Sequence, residues 1–256
     1  MNEALKTIHC LYSTHGNFSD RAILEEDLKT ILQAAVRAAN ASSRQSYSII
    51  VVDDQEVMKE QFNYVGNKAL IFCVDYNRIV DTAKYLNQNY TCDNLSSFIT
   101  GSTDTALAAQ TAVIAARSLG IDSLFTNSLH RSDLNKFYQQ FNLPEKHCFP
   151  LITLILGYAK EEKHALRGRL NGPGVIHYGK YQPLSNEQLV QLVSDYNQPE
   201  NNLGLPFFKP NEDFKNYLDW FFADWSKLKD AEKFAKMQAN LYAALQRAGF
   251  LVEARD

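Results

Sequence analysis

The sequence predicts a fold that combines helices and strands in one large core, followed by a helical extension. Apolar runs of strand length recur in the first part of the chain, with helical patterns between them. With 256 residues and 45% hydrophobic residues, the chain is long enough to bury a sizeable core. Beyond the breaker at 171–174 the patterns are helical, which predicts a core of residues 1–182 and a helical extension of residues 183–256.

Charge and cysteine usage exclude several classes of protein. A net charge of -3 and the lack of a basic arm make nucleic acid an unexpected partner. No apolar run approaches the roughly 18 residues of a membrane span, and residues 1–14 lack the apolar core of a signal peptide. The cysteines form no CxxC pair, so we expect no metal site and a cytoplasmic location; they are Cys10, Cys73, Cys92 and Cys148.

The first predicted elements are a helix and the strand after it. Glu25, Glu26 and Asp27 place acids in a first helical turn, where the helix dipole favours them. Apolar residues then recur at helical spacing, and the helix is expected to end near 39–40. The β-branched run at 47–52, bounded by acids, predicts a strand.

The middle of the chain predicts a central strand, a loop and a small-residue helix. The apolar run at 69–74 suits a strand buried on both faces. Residues 90–103 are rich in Asn, Ser, Thr and Gly, and predict a loop that covers a site. Asp104 precedes an alanine-rich helix at 106–119, which Gly120 ends.

The remaining patterns predict two strands and several helices. Strands are expected at 123–126 and 150–156, and a short helix at 134–141. A basic, loop-like segment at 164–169 and a breaker at 171–174 follow. Helical patterns cover 185–196 and 214–250, with aromatic residues at helical spacing from Phe214 to Trp225.

The stretch from Ala38 to Tyr47 is the most informative part of the sequence. Its small and amide-bearing side chains suit either a cradle for a flat ligand or an ordinary helix-to-strand turn. GxGxxG, GxxxxGK[ST], GxSxG and HExxH are all absent, which argues against dinucleotide, P-loop, serine-hydrolase and zinc-protease readings. The six histidines show no metal-ligand spacing.

Three features in a fixed order carry a family resemblance. They are the 38–47 stretch after a polar opening segment, the alanine-rich helix with Leu-Gly-x-x-Ser at 119–123, and the strand at 150–156 with the basic segment after it. In this order and spacing, residues 9–170 resemble the nitroreductase family of FMN-dependent oxidoreductases. The resemblance implies an α+β three-layer sandwich, in which helices flank a central and mostly antiparallel sheet. It also implies a homodimer with FMN sites at the interface.

The resemblance assigns the ring and ribityl contacts of FMN to the 38–47 stretch. Ala38, Gln45 and Tyr47 agree with the family pattern Ala-Pro-Ser-Ser-x-Asn-x-Gln-Pro-Trp, whereas Ser43 stands where the family has Asn. Arg44 is expected to reach the N1/C2 edge of the flavin or else to make a surface salt bridge. The residues assigned to the cofactor are Asn40, Ala41, Ser42, Ser43, Arg44 and Gln45.

The resemblance places the FMN phosphate between two distant segments. The family motif Arg-Ser-x-Arg-x-Phe falls on residues 12–18, where both arginines are missing, and neutral donors remain at Ser13, Thr14, His15 and Asn17. Arg167 and Arg169 match the family's basic pair, with a solvated basic loop as the alternative. Thr126 and Asn127 lie where relatives place donors beside flavin N5 and O4.

The activity implied by the resemblance is hydride transfer from NAD(P)H to flavin N5. A nitroaromatic, quinone or similar acceptor then takes the electrons, by a ping-pong mechanism. The cofactor supplies this chemistry, so no catalytic side chain is expected. Two alternatives stay open: a non-enzymatic protein that binds or sequesters flavin, and a flavin enzyme with a dedicated substrate, such as a dehalogenase or dehydrogenase. The carboxy-terminal aromatics are expected either to wrap a partner subunit or to pack within their own chain.

Overall fold

The structure is a computed structural model that describes residues 1–161, 166–205, 208–225 and 231–251. Contacts group residues 1–162 with 232–256 into one compact unit, and residues 163–231 into a second. The boundary expected near residue 182 falls inside the second unit, and the carboxy-terminal residues group with the first. No helix in the described part of the chain is both long enough and apolar enough to cross a membrane.

A four-stranded antiparallel sheet forms the centre of the first unit. Its strands are β1 (Tyr47–Val52), β2 (Lys68–Asp75), β3 (Asp122–Thr126) and β4 (Cys148–Gly157), in the order β1-β2-β4-β3. A register irregularity interrupts the β2–β4 pairing between Phe72 and Cys73. All four strands confirm the sequence prediction, because long apolar runs specify buried strands directly.

Helices surround this sheet and also form the second unit. Those of the first unit are α1 (Glu3–His9), α2 (Glu25–Ala35), α3 (Gln55–Phe62), α4 (Asn77–Tyr85), α5 (Leu95–Ser118), α6 (Leu134–Gln140) and α9 (Ala231–Arg247). The second unit contains α7 (Asn186–Asn197) and α8 (Tyr217–Trp220), which runs into a π-helical turn at Phe221–Trp225. Helices α2, α6 and α7 confirm the predicted positions, whereas α1, α3 and α4 were not predicted.

The two faces of the sheet carry separate hydrophobic cores. Along β2, Ala69, Ile71 and Cys73 belong to one core, and Leu70 and Phe72 belong to the other. Helices α3, α6 and α9 contribute buried residues to the first core, and α2 and α5 to the second. Each fully buried Leu, Ile or Phe stabilises the fold by about 1.5–3 kcal/mol. The arrangement is the predicted α+β sandwich of helices, antiparallel sheet and helices.

The predicted loop at residues 90–103 is confirmed only for residues 90–94, because α5 begins at Leu95. Asn94 caps the helix by accepting a hydrogen bond from the amide of Ser97. Gly101 lies so close to the sheet that a Cβ there would meet Val74 at 2.6 Å. The small and polar residues that suggested a loop instead allow a helix to pack closely against the sheet.

Aromatic residues pack together inside the second unit. The ring of Tyr217 stacks on that of Tyr196 with centroids 5.8 Å apart, and also contacts Phe208 and Trp220. Part of the predicted aromatic stripe therefore packs within its own chain. The side chain of Trp225 lies outside the described residues.

Candidate functional site

The segment at residues 40–45 has an unusual backbone between helix α2 and strand β1. Ser42, Ser43 and Gln45 have φ angles of 52°, 54° and 49°, a left-handed region that residues other than glycine adopt at a cost. The side chains of Ser42 and Ser43 are exposed. Such strain persists only where surrounding contacts impose it, and it is concentrated at functional sites.

A buried carboxylate imposes this shape on the segment. Asp104 of helix α5 is 1% exposed, and its Oδ1 accepts a hydrogen bond from the Ala41 amide at 2.8 Å. Its Oδ2 accepts a second one from the Ser46 amide at 3.3 Å. Within the same loop, Oδ1 of Asn40 accepts a hydrogen bond from the Gln45 amide at 3.1 Å. One aspartate therefore fixes both ends of the loop.

Two arginines lie against the same loop. The guanidinium of Arg78 donates to the carbonyl oxygens of Arg44 and Gln45 at 2.8 and 2.7 Å. Arg44 donates to the Ala41 carbonyl at 3.2 Å, and its hydrogen bond to Tyr90 raises its pKa above the ordinary value. The guanidinium of Arg44 therefore contacts the backbone of its own loop and the side chain of Tyr90.

A shallow and open cleft of about 400 Å³ lies beside these residues. Polar side chains of the loop and of the segment after α4 line it, together with the outer surface of α4. Its lining includes Ser43, Arg44, Arg78 and Tyr90.

The opening segment lies along strand β3. Ser13 forms a parallel bridge with Ser123, and the Thr14 amide donates to the Ser123 carbonyl at 2.9 Å. Thr14 is 1% exposed, and its hydroxyl has no hydrogen-bond partner among the described residues. His15 is exposed beside the ring of Tyr64. Thr14 is thus a buried residue whose hydroxyl forms no hydrogen bond within the described part of the chain.

The rest of the opening segment is anchored to the end of strand β4 and to the residues that follow it. The carbonyl of Asn17, whose side chain is exposed, accepts from the Lys160 amide at 2.9 Å. Phe18 bridges to Ala159 and covers Gly157, where a Cβ would lie 2.7 Å from the ring. Main-chain contacts therefore hold the segment beside β3 and β4, and they leave the Asn17 side chain on the surface.

A charged cluster holds the opening segment in register. The hydroxyl of Tyr12 donates to Oδ1 of Asp122 at 2.6 Å, and Arg117 donates to the same oxygen at 3.0 Å. Oδ2 of Asp122 accepts from the Ala159 amide at 2.8 Å. Burial and the neighbouring carboxylate raise the pKa of Tyr12, so its hydroxyl stays protonated and keeps donating.

The predicted residues at the end of β3 differ in exposure. Thr126 is buried, and its hydroxyl accepts a hydrogen bond from the Ser128 amide at 3.1 Å. Asn127 is exposed at the start of the following turn. The hydroxyl of Thr126 therefore shapes this turn, and Asn127 presents its amide to the outside.

Arg167 and Arg169 lie in the second unit and contact its backbone. Arg167 donates to the Gly204 carbonyl at 2.7 Å and to the side-chain oxygen of Asn202. Burial, and secondarily the charge of Arg169, lower the pKa of Arg167 from its ordinary value. Arg169 is exposed and donates to the Gly168 carbonyl at 2.9 Å. The two guanidinium groups are thus a half-buried cation and an exposed one on the same short loop.

The side chains that position the candidate site were not predicted from the sequence. Asp104 was expected ahead of a helix, and Arg78 and Asp122 were not singled out. An acid within an alanine-rich helical face was the available signal for Asp104, because a buried carboxylate requires donors.

Known oxidoreductases are similar to this chain in sequence. No protein-family model matches the chain. A CR(VI) reductase from Pseudomonas sp. (strain G-1) is 28% identical over 200 residues, which cover 73% of this chain and 79% of that protein. An NADPH-dependent oxidoreductase from Staphylococcus aureus (strain MRSA252) is 28% identical over 192 residues, 71% of this chain and 75% of its own.

Solved structures extend the likeness to nearly the whole chain. B. megaterium NfrA2 superposes with a TM-score of 0.78 at 27% identity, and covers 99% of this chain and 100% of its own. NfrA1 nitroreductase from B. subtilis (TM-score 0.74, 22% identity, 97% and 99% coverage) has the same fold. So has the NADPH:FMN oxidoreductase from Vibrio harveyi complexed with NAD+ (0.73, 21%, 97% and 99%). The chain has the nitroreductase fold, and the resemblance to the nitroreductase family predicted from its sequence is confirmed.

Proposed function

We propose that this protein is a cytoplasmic FMN-dependent NAD(P)H oxidoreductase that reduces nitroaromatic, quinone or similar acceptors by a ping-pong mechanism. The observation that carries the proposal is the strained 40–45 loop, whose backbone forms hydrogen bonds with the side chains of Asp104 and Arg78. A rigid loop with exposed serines and left-handed backbone suits close approach of a flat, hydrogen-bonding ring. The fold likeness and the names of the relatives support the same function.

The described residues of the first unit fit FMN in two respects. The buried hydroxyl of Thr14 has no partner in the described part of the chain, and it suits a phosphate or ribityl oxygen. Ser42, Ser43 and Asn40 supply further polar groups on the loop side. When bound, FMN would supply the redox chemistry, because its N5 accepts hydride from a nicotinamide and passes the electrons on.

The proposed phosphate site lacks the two arginines that the family motif has at residues 12–18. Ser13, Thr14, His15 and Asn17 offer hydrogen bonds and little fixed charge. Arg167 and Arg169 stay proposed phosphate ligands because of the family resemblance, since Arg forms bidentate contacts with phosphate. Partial burial and the hydrogen bond to Gly204 restrict the Arg167 side chain, which lowers the entropy that phosphate binding would cost.

Residues of the loop are proposed to bind and orient the ring. Arg44, which is hydrogen-bonded to Tyr90, would stabilise negative charge at the N1/C2 edge. Thr126 would fix the turn from which Asn127 donates to the N5/O4 edge. No side chain is assigned to move a proton or to form a covalent bond, and the cleft beside Ser43 and Tyr90 leaves space for a planar donor or acceptor.

We also propose that the protein is a homodimer. Helix α5 presents Leu95, Ile99 and Leu107 at helical spacing, and these side chains are 52%, 59% and 43% exposed in the single chain. Apolar rows of this kind on a soluble protein are typical of subunit interfaces. The physiological acceptor is proposed only as a class: the relatives are named for chromate reduction and for NADPH-dependent oxidoreduction.

An absorbance spectrum of the purified protein, before and after anaerobic addition of NADH or NADPH, tests the proposal. We expect the oxidised flavin bands in the first spectrum and their bleaching in the second. Protein that stays colourless when FMN is supplied contradicts the cofactor assignment. A flavin that binds and stays oxidised indicates a flavin-sequestering protein. Turnover of one acceptor class, with no broad quinone and nitroaromatic activity, indicates a dedicated substrate.

A further inference from the structure

Three potential metal ligands converge outside the flavin site described above. The sulfur of Cys92, a carboxylate oxygen of Asp93 and a ring nitrogen of His147 lie within 4.8 Å of one another. Nε2 of His147 is 2.9 Å from Oδ1 of Asp93. Asp93 and His147 are 54 residues apart in the chain, so spacing along the sequence gives no signal for the cluster.

We propose that Cys92, Asp93 and His147 form a zinc site that joins the segment before helix α5 to the start of strand β4. Thiolate, imidazole and carboxylate are the groups that bind zinc in proteins, at about 2.0–2.3 Å. Tetrahedral ligand atoms are then separated by roughly 3–4 Å, which small side-chain rotations reach from the present positions. A mixed sulfur, nitrogen and oxygen set favours zinc over the oxygen-seeking Mg²⁺ and Ca²⁺.

Exposure of the three side chains suits a site with one open position. Cys92 is 1% exposed, whereas the side chains of Asp93 and His147 are 51% and 18% exposed. An ion bound here would be shielded from water on the side of the Cys92 sulfur and accessible to water on the side of Asp93. Three protein ligands with water in the fourth position is a common zinc coordination.

The backbone holds the histidine in place before any ion arrives. His147 has a left-handed φ of 58°, a costly conformation for this residue. Its amide donates to the Ala248 carbonyl at 3.0 Å, and its carbonyl accepts from the Tyr76 amide at 2.9 Å. Two main-chain hydrogen bonds to different segments therefore maintain the conformation that directs the imidazole at Asp93.

A glycine makes room for the aspartate. Gly249 has a φ of 86°, and a Cβ at this position would lie 2.3 Å from Oδ1 of Asp93. Any side chain here would displace the carboxylate from His147. The segment after helix α9 is thus shaped around the proposed ligand.

Zinc binding requires no redox change. The thiol of Cys92 releases its proton to solvent, His147 binds as neutral imidazole, and the carboxylate of Asp93 exchanges its hydrogen bond to His147 for a bond to the metal. An ion in this position joins three segments of the first unit, and we expect it to stabilise the folded state. At a hundredfold excess of zinc over Kd, the melting temperature should rise by roughly 5–10 °C.

Metal titration of the whole protein tests this site. The protein, as purified and then stripped with a chelator, is dialysed against ZnCl2 with a non-chelating reductant, and bound zinc is measured by mass spectrometry. Cobalt(II) replaces zinc in a second titration, where a tetrahedral site gives ligand-field bands beyond the absorption of oxidised flavin. We expect one ion per chain and tetrahedral cobalt.

The variants Cys92→Ser, Asp93→Asn and His147→Asn each remove one ligand. Asn readily adopts the left-handed backbone, so His147→Asn removes the imidazole with little strain. We expect each variant to lose at least roughly tenfold in zinc affinity. Cys10→Ser removes an exposed thiol elsewhere and should bind zinc normally.

Two results overturn the zinc site. One is the absence of stoichiometric zinc binding at micromolar metal by the reduced, folded protein. The other is binding that survives His147→Asn and Cys92→Ser, or that Cys10→Ser abolishes, since the ions would then lie elsewhere. In either case the contact between Asp93 and His147 is only a structural hydrogen bond.

Discussion

Asp104 accepts a hydrogen bond from the Ala41 amide at 2.8 Å, and this contact ties the middle of helix α5 to the candidate flavin loop. The substitution Asp104→Asn replaces an acceptor oxygen with a donor, so one of the two loop amides loses its partner. An unsatisfied buried amide costs about 1–3 kcal/mol. We therefore expect FMN affinity to fall roughly 5- to 150-fold, measured by fluorescence titration.

Asp54→Asn is the matched control for this loss. Asp54 also accepts from two backbone amides, those of Glu56 and Val57, but it caps helix α3 on the surface. Its substitution should lower the melting temperature slightly and leave FMN affinity unchanged. If both variants bind FMN as the original protein does, the loop held by Asp104 does not contact the cofactor.

The buried hydroxyl of Thr14 allows binding and folding to be tested separately. Thr14→Val keeps the volume and removes a hydroxyl that has no partner in the described residues, so the apoprotein should be as stable as before or slightly more so. FMN affinity should fall at least roughly fivefold, because one bound hydrogen bond is lost. Thr14→Ser keeps the hydroxyl and should bind FMN normally. Unchanged affinity in Thr14→Val would show that this hydroxyl does not contact the cofactor.

Arg169 is the more accessible cation of the proposed phosphate pair. Arg169→Ala removes hydrogen bonds to its own loop, at the carbonyls of Arg167 and Gly168, so folding should be unaffected. Loss of a charge-assisted contact should raise the Kd for FMN about tenfold or more. The same change should leave the affinity for riboflavin, which lacks the phosphate, unaltered. Lys180→Ala removes an exposed charge from the same unit and serves as the control.

The sheet was predictable because local sequence determines its strands. The continuous apolar runs at 69–74 and 150–156 have few alternatives to burial on both faces of a sheet. Residues 95–103 were mispredicted because Ser, Thr and Gly favour loops locally, whereas here they permit close packing of α5 on β2. That use depends on a distant strand, which a local pattern does not encode.

The candidate site was predictable in its segments but not in its supporting contacts. The 38–47 stretch was singled out from its side chains alone, yet its left-handed backbone depends on Asp104 and Arg78. Both are remote in sequence. Their hydrogen bonds go to main-chain atoms, which every residue type has, so the sequence of the loop does not indicate these partners. Asp122 was not predicted either, because its hydrogen bonds to Tyr12, Arg117 and the Ala159 amide join segments that are distant in sequence.

The proposed dimer predicts that one charge on helix α5 separates the subunits. Ile99→Lys places an ammonium in the middle of the exposed apolar row, where an interface would have to desolvate it. We expect the mass measured by light scattering to fall from that of a dimer to that of a monomer. Tyr85→Lys introduces the same charge at an 86% exposed position on α4, and should leave the mass unchanged. A monomeric original protein would contradict the prediction directly.

Burial of His130 predicts that stability depends on pH just below neutrality. Burial lowers the pKa of His130 from its ordinary value near 6.5, although the hydrogen bond from Nε2 to the Pro150 carbonyl, 2.9 Å long, acts in the opposite direction. The unfolded chain therefore takes up this proton at a higher pH than the folded one. The free energy of unfolding should then decrease as pH falls through 6.5, until the folded-state pKa is reached.

A single proton limits the slope of this decrease to about 1.4 kcal/mol per pH unit. His130→Gln keeps a side-chain donor for Pro150 and does not titrate, so its urea-unfolding curves between pH 7.5 and 5 should show a smaller decrease. His9→Gln changes an exposed histidine and should behave as the original protein does. An equal pH dependence in His130→Gln would mean that other groups account for the acid lability.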